Sequence, residues 1–231
     1  IVKNGSTHNK KPKFKCKECG RQFVEFSEKK EISNETKAWI DDLLLEKISS
    51  REQFRARKLS RTWLQNYVNQ KYQQTPRQLK VSSKKKGKLI LECDELLSFV
   101  KNKKTKIWIW LAIDRKTREI VGFALGDRIR NMAQQLWDFL PPVYRQCAVS
   151  YTDLWEAYEK VFPSKRLKQV GKETGETSHI ERFNNTLRQR ISRLVRKTLS
   201  FSKKSENHIG AILTFIHHYN ECINECIQVQ F

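Results

Sequence analysis

The chain has 231 residues, with 46 Lys and Arg against 25 Asp and Glu and a formal net charge of +21, so its natural partner is a polyanion whose counterions are released on binding. Hydrophobic residues make up 38% of it, including six Trp and twelve Phe, which excludes a disordered tail and allows one domain of ordinary size plus a smaller appendage. The longest apolar runs, such as Ile107 to Ile113, fall far short of the roughly 20 residues of a spanning helix, and there is no signal-like start; no membrane partner is expected.

Residues 1–30 are lysine-rich and contain Cys16-Lys-Glu-Cys19-Gly20 with Phe23 behind it, the pattern of one knuckle of a zinc ribbon. Structural zinc takes four ligands, and only Cys16, Cys19 and His8 stand here. The segment reads as a partial zinc-ribbon-like remnant whose second knuckle would lie upstream of Ile1, with a turn bearing two free thiols as the alternative. Cys93, Cys147, Cys222 and Cys226 form no disulfide framework, so reduced, cytoplasmic thiols are expected.

Residues 31–74 carry helical signals. Ile40, Leu43, Leu44 and Ile48 recur at helical spacing, Ser49 and Glu52 have the form of a capping box, and Ser60 precedes a third helix bearing Trp63, Leu64, Tyr67 and Val68. Three short helices in this order predict an all-α helix-turn-helix domain, whose third helix would offer Arg61, Thr62, Gln65, Asn66 and Asn69 to the major groove. A small bundle with a solvated polar face is the alternative. Pro76, Gly87 and a run of lysines mark residues 75–87 as a linker.

From Lys88 to Phe231 the pattern is mixed α/β. Strands are expected at 89–93, 107–113 and 119–125, the last two joined by a hairpin turn at Asp114–Arg118. A helix over 132–140 stopped by Pro141-Pro142 follows, then a strand from Cys147 to Tyr151 and a helix over 154–161. Ile180, Phe183, Leu187, Ile191 and Leu194 form a core-facing helical stripe, and 212–227 reads as an ordinary amphipathic helix despite its His217-His218, Cys222 and Cys226.

Strand cleavage and transfer on DNA require stabilised charge on the entering and leaving oxygens, which two Mg²⁺ ions about 4 Å apart supply when carboxylates hold them. Asp94 follows the first strand, Asp153 ends the fourth, and Glu181 opens the long helix. Spacing alone leaves Glu92, Glu95 and Asp114 as alternatives. Glu181, Asn185 and Arg188 share one helical face at i, i+4 and i+7, and Arg188, Arg190, Arg193 and Arg196 extend a basic surface suited to phosphates.

The runs Cys93-Asp94-Glu95-Leu-Leu-Ser-Phe99, Ala112-Ile-Asp-Arg115, Tyr151-Thr-Asp153, His179-Ile-Glu181-Arg-Phe-Asn-Asn-Thr-Leu-Arg-Gln-Arg190 and Arg196-Lys-Thr-Leu-Ser-Phe-Ser202 resemble the insertion-sequence-one family of bacterial transposases, over a span from Ile1 to about Asn220. The resemblance implies a ribonuclease-H-like catalytic domain with an Asp-Asp-Glu triad, carried over as Asp94, Asp153 and Glu181, using Mg²⁺ or Mn²⁺. It also implies binding to the inverted-repeat ends of an element, strand cleavage and transfer, a homo-oligomer on double-stranded DNA, and a place in the bacterial cytoplasm with the nucleoid. The family often has Trp where Leu97 stands and Gly where Leu154 follows Asp153. A catalytically inactive or truncated DNA-binding regulator of the element, and a ribonuclease-H-like nuclease or resolvase without strand transfer, are the competing functions.

Overall fold

A computed structural model describes residues 1–8, 10–24, 31–46, 48–194 and 202–228. Its contacts divide the chain into two compact units, Ile1–Trp39 and Ile40–Phe231. The first holds an antiparallel sheet of β1 (Val2–Ser6), β2 (Pro12–Lys15) and β3 (Gln22–Val24) in that order. Phe14 and Phe23 face each other across β2 and β3 with ring centroids 6.0 Å apart, an apolar pair on an otherwise lysine-covered sheet. These strands were not expected; the alternation Lys13-Phe14-Lys15 is the one trace of them in the sequence. Helix α1 (Asn34–Leu44) crosses the boundary between the units.

After α1, the larger unit continues with α2 (Ser50–Arg57) and α3 (Arg61–Gln74). The capping box forms as expected: the Glu52 carboxylate accepts from the Ser49 backbone N–H at 2.7 Å, and the Ser49 hydroxyl accepts from the Glu52 N–H at 3.4 Å. Ser60 caps α3 by accepting from the Trp63 N–H. Leu64, Val68 and Tyr72 form the buried stripe of α3.

A five-stranded mixed sheet follows: β4 (Ile90–Phe99), β5 (Lys106–Asp114), β6 (Ile120–Gly126), β7 (Val149–Thr152) and β8 (Leu167–Gln169), in the order β6-β5-β4-β7-β8. The pairs of β4 with β5 and β5 with β6 are antiparallel, while β7 and β8 run parallel to β4. Helices α4 (Arg130–Phe139), α5 (Pro142–Cys147) and α6 (Glu156–Glu159) supply a core in which Leu91, Cys93, Trp110 and Ala112 from the sheet meet Leu136, Tyr144, Tyr158 and Phe162. The residues that alternate with these on β4 serve α7 (Ser178–Arg190), which reaches back to Glu92 and Asp94. The last helix, α8 (Ser205–Gln228), packs along α3. That approach is close: a Cβ on Gly210 would stand 2.4 Å from the Tyr72 Cβ, so only glycine fits there.

Several boundaries differ from expectation for identifiable reasons. Strand β4 does not stop before Asp94; Leu96, Leu97 and Phe99 keep it paired with β5 out to Phe99 opposite Lys106. The prolines stop α4, but Pro142 also opens α5, since proline suits the first position of a helix. Cys147 therefore ends a helix rather than opening a strand. Strand β8 was not expected; its three residues are too short for a visible alternation. Within residues 75–87, expected as a linker, Leu79 is buried, and Ser82 and Lys84 are tied to Glu119. Among the described residues, no helix is long and apolar enough to cross a membrane.

Candidate functional site

The parallel register of β4 and β7 sets Ile90 beside Val149 and Glu92 beside Tyr151. Two residues further on, the same register brings Asp94 and Asp153 side by side. Carboxylate oxygens of Asp94, Glu95 and Asp153 lie within 4.8 Å of one another, the sole group of three or more such ligands among the described residues. Asp94 sits in mid-strand, and its Oδ2 accepts from Asn184 Nδ2 on α7 at 2.8 Å. Burial pushes its pKa up to about 6; hydrogen bonds from the Glu95 backbone and Asn184 oppose this, and the charges of Asp153 and Glu181 add to it.

Asp153 stands one residue beyond β7. Its Oδ1 accepts from the Trp155 backbone N–H at 3.1 Å and its Oδ2 from the Arg128 guanidinium at 3.3 Å. Glu95 is turned to the opposite face of β4 from Asp94. Its Oε2 accepts from the same Arg128 nitrogen at 3.1 Å, while Oε1 has no partner. Burial first, and then the Asp153 charge, push the Glu95 pKa up to about 7, with Tyr158 and Arg128 acting against them. Glu181 lies in the first turn of α7, close enough to Asp94 to raise its pKa, and its Oε1 accepts from the Thr177 hydroxyl at 3.0 Å. It is outside the 4.8 Å group, so the structure brings Asp94 and Asp153 together, with Glu181 nearby and Glu95 unexpectedly among them.

The other two alternatives have structural duties. Glu92 accepts from the backbone N–H groups of His179 and Ile180 at 2.9 and 3.1 Å and from Arg115 Nε at 2.8 Å. It thereby pins the start of α7 to the sheet and aligns that helix over Asp94. His179 stands beside the same carboxylate, 3.9 Å from it. Asp114 closes the β5–β6 hairpin by accepting from Lys116 and Thr117 N–H, both at 2.8 Å, and from the Tyr144 hydroxyl at 2.7 Å.

The basic and polar residues fall into two groups. Arg61, Gln65 and Asn66 are exposed on α3, although Gln65 donates to Asn69, which also accepts from Asn207 on α8. On α7, Asn185 is exposed and Arg188 half-buried. It is Asn184, not Asn185, that reaches the carboxylates, because the i+3 position lies over Asp94. Arg190 pairs with Glu46 and bonds to the Leu45 carbonyl, and Arg193 donates to the Ser202 hydroxyl and covers the Tyr72 ring at 5.2 Å. Arg196 lies outside the described residues. Arg128, unremarked in the sequence because nothing in its neighbourhood marks it, proves central to the acidic group.

Cys16 and Cys19 occupy the β2–β3 turn, where the Gly20 N–H donates to the Cys16 carbonyl at 3.1 Å with Gly20 at φ +70°. Hydrogen bonds from the Cys19 and Glu18 backbone lower the Cys16 pKa, which suits a thiolate ligand. No third ligand joins them among the described residues. His218 meets Cys222 at 3.5 Å, and His217 meets the Pro76 carbonyl; they too gather no third ligand.

The chain is 37% identical over 131 residues to the insertion element iso-IS1n protein InsB of Shigella dysenteriae, which spans 57% of this chain and 96% of that protein. It is 35% identical over 130 residues to the insertion element IS1 4 protein InsB of Escherichia coli K12, spanning 55% of this chain and 75% of that protein. The insertion element IS1 protein InsB of Shigella flexneri matches at 36% over 130 residues, 55% of this chain and 95% of that protein. Residues 88–220 match the family described as IS1 transposase, a span that starts at the first strand of the mixed sheet and takes in the whole acidic group. The chain therefore belongs to the IS1 transposase family.

Proposed function

We propose that this chain recognises the inverted-repeat ends of an insertion element and catalyses metal-dependent cleavage of the DNA strand and its transfer to target DNA. Asp94, Asp153 and Glu181 act as the metal-holding triad of a ribonuclease-H-like domain. The observation that carries this is the closeness of the Asp94 and Asp153 carboxylates where β4 and β7 run side by side, with α7 holding Glu181 near enough to raise the Asp94 pKa. The strand order, three antiparallel strands followed by two parallel ones, supports the ribonuclease-H-like reading.

The residues fit the metal. Carboxylate oxygens are the hard donors that Mg²⁺ and Mn²⁺ take, and Asp94, its pKa raised chiefly by burial and further by the charges of Asp153 and Glu181, offers such oxygens beside those of Asp153. Two bound ions supply Lewis acidity at the entering and leaving oxygens of an in-line displacement. Asp94 is fixed by the ladder and by Asn184, and Glu92 keeps α7 in register with it. Water is the first nucleophile and the freed 3′ hydroxyl the second, with no covalent protein–DNA bond.

Arg61, Gln65 and Asn66 on α3 read the repeat, and Asn185, Arg188, Arg190, Arg193 and Arg196 follow the phosphates, Arg190 and Arg193 exchanging their intramolecular partners for DNA. Cys16 and Cys19 supply two of the four ligands of a zinc ion. Two ends must be joined, so at least two copies work together on the DNA, in the bacterial cytoplasm at the nucleoid. The test is the joining of a labelled repeat end to plasmid DNA with Mg²⁺, which should disappear in Asp94→Asn and in Glu181→Gln. Joining that survives either change refutes the triad. Repeat binding without any cutting by the unmodified chain would favour the DNA-binding regulator.

A further inference from the structure

Asp94 and Asp153 are held in different ways. Asp94 is a mid-strand residue, paired through β4 and tied to Asn184. Asp153 has left the ladder, and its side chain is 30% exposed. Without further contacts it would be free to change rotamer, a defect where about 0.5 Å matters to a metal ligand.

Two groups restrain it. The Trp155 backbone N–H holds Oδ1. Arg128 holds Oδ2, and the guanidinium itself is fixed, 4.8 Å from the Trp108 ring, 4.3 Å from the Trp155 ring, and bonded to Glu95, whose side chain is 1% exposed. Trp155 thus holds both the aspartate and the arginine that grips it. A lone guanidinium beside a metal-binding carboxylate would repel the cation; Glu95 is the charge that cancels it.

We propose that Arg128 and Glu95 form a charge-neutral clamp that orients Asp153, with Glu95 acting on the metal centre through Arg128 and not as a ligand. Both are positioning residues, and the proposal rests on the metal-centre reading above. The competing role is suggested by the partnerless Oε1 of Glu95, which the Tyr158 hydroxyl approaches without forming a hydrogen bond of proper geometry. In that role Glu95 would itself be a fourth ligand.

Mn²⁺ titration of the full chain, together with single-turnover cleavage at saturating Mn²⁺, separates the two. Glu95→Gln leaves Arg128 uncancelled and should weaken Mn²⁺ binding about tenfold, whereas Arg128→Gln should bind Mn²⁺ at least as tightly as the parent yet cleave about 10- to 100-fold more slowly. The double variant, Glu95→Gln with Arg128→Gln, should return to within about threefold of the parent's affinity while cleavage stays slow. A double variant as weak in Mn²⁺ binding as Glu95→Gln makes Glu95 a ligand and overturns the clamp. Parental cleavage in the double variant overturns it as well. If a single variant fails to fold, the double, which leaves neither charge buried, decides alone. Asp94→Asn is the control for the underlying reading: unchanged Mn²⁺ affinity there would mean that the metal centre, rather than the clamp, was misassigned.

Discussion

Glu119 and Glu95 both have side chains almost wholly withdrawn from water, at 0% and 1% exposure, yet the edge and the centre of the sheet treat them in opposite ways. Glu119 receives the Ser82 N–H at 2.9 Å, the Lys84 ammonium at 2.8 Å, Asn224 at 3.2 Å and Thr117 at 3.3 Å, in addition to the Ser82 hydroxyl. Burial alone would raise its pKa, but these donors win and lower it. Glu95 has a shared guanidinium on one oxygen and nothing on the other, with two aspartates close by, and its pKa rises to about 7. A buried carboxylate with every lone pair matched is a clasp, here fastening Ser82 and Lys84 to the sheet. One left short of donors beside like charges costs stability, and such groups concentrate where a protein performs chemistry.

The contrast breaks most visibly by mutation of the clasp. Glu119→Ala strands Lys84, only 14% exposed, and should cost about 3 to 5 kcal/mol, seen as a fall in the denaturant midpoint with cleavage per folded molecule unchanged. Asp94→Asn should act in the opposite direction on the metal-free protein. The amide keeps an acceptor for Asn184 and removes one of the crowded charges, so stability at neutral pH should rise by roughly 1 to 2 kcal/mol, while Mn²⁺ binding is lost. A cost below about 1 kcal/mol for the first, or a lowered midpoint for the second, would dissolve the distinction.

How far the sequence alone reveals this arrangement depends on the kind of signal each part leaves. The Ser49–Glu52 box, the Asp114 hairpin and the start of the stripe at Ile180, Phe183 and Leu187 are local, with spacing set by helix and turn geometry, and they stand where expected, whereas α7 ends at Arg190, so Ile191 and Leu194 are buried beyond the helix and not on it. The mixed sheet was legible as a class, since strands 107–113 and 119–125 are strongly apolar. Strand β8 and the small lysine-rich sheet were not, because their few residues bury little. Glu92, Glu95 and Asp114 could not be told from Asp94 by spacing; only three-dimensional partners separate a helix anchor, a hairpin cap and a crowded carboxylate. Arg128 was invisible for the same reason, since what defines it is a meeting of β4, β5 and the stretch after β7. Asn184, which spacing did not single out, is the α7 amide bonded to Asp94.

A change of pH sharpens the comparison without any mutation. Asp94 and Glu95 have folded pKa values raised to about 6 and about 7, so they contribute stability that is complete below their ordinary values and is lost as pH rises through 6 and 7. Glu119 has a lowered pKa, so its contribution is present above the ordinary glutamate value and is lost as pH falls through the folded one. Metal-free protein should therefore lose melting temperature between about pH 4 and 7. Asp94→Asn should remove the Asp94 part of that loss, as should saturating Mn²⁺, leaving the Glu95 part, and neither should protect against acid. A neutral-pH loss undiminished in both would mean that Asp94 is not among its causes.

Leu154 is the mildest test, because it borders the acidic group yet belongs to neither kind of site. The family resemblance leads one to expect glycine after the aspartate, as if the backbone there were one that only glycine accepts. The structure gives no such need: Leu154 is absent from the residues with positive φ, and its side chain is 72% exposed. Leu154→Gly should therefore relieve no strain and lose little packing, leaving mainly the extra freedom of the unfolded chain, a cost of about 0.5 to 1 kcal/mol. Mn²⁺ affinity should stay the same, because Asp153 is held by the Trp155 backbone and by Arg128, not by the leucine. A faster or slower cleavage at unchanged Mn²⁺ affinity would then place the leucine side chain against the DNA, the one neighbour able to feel its loss.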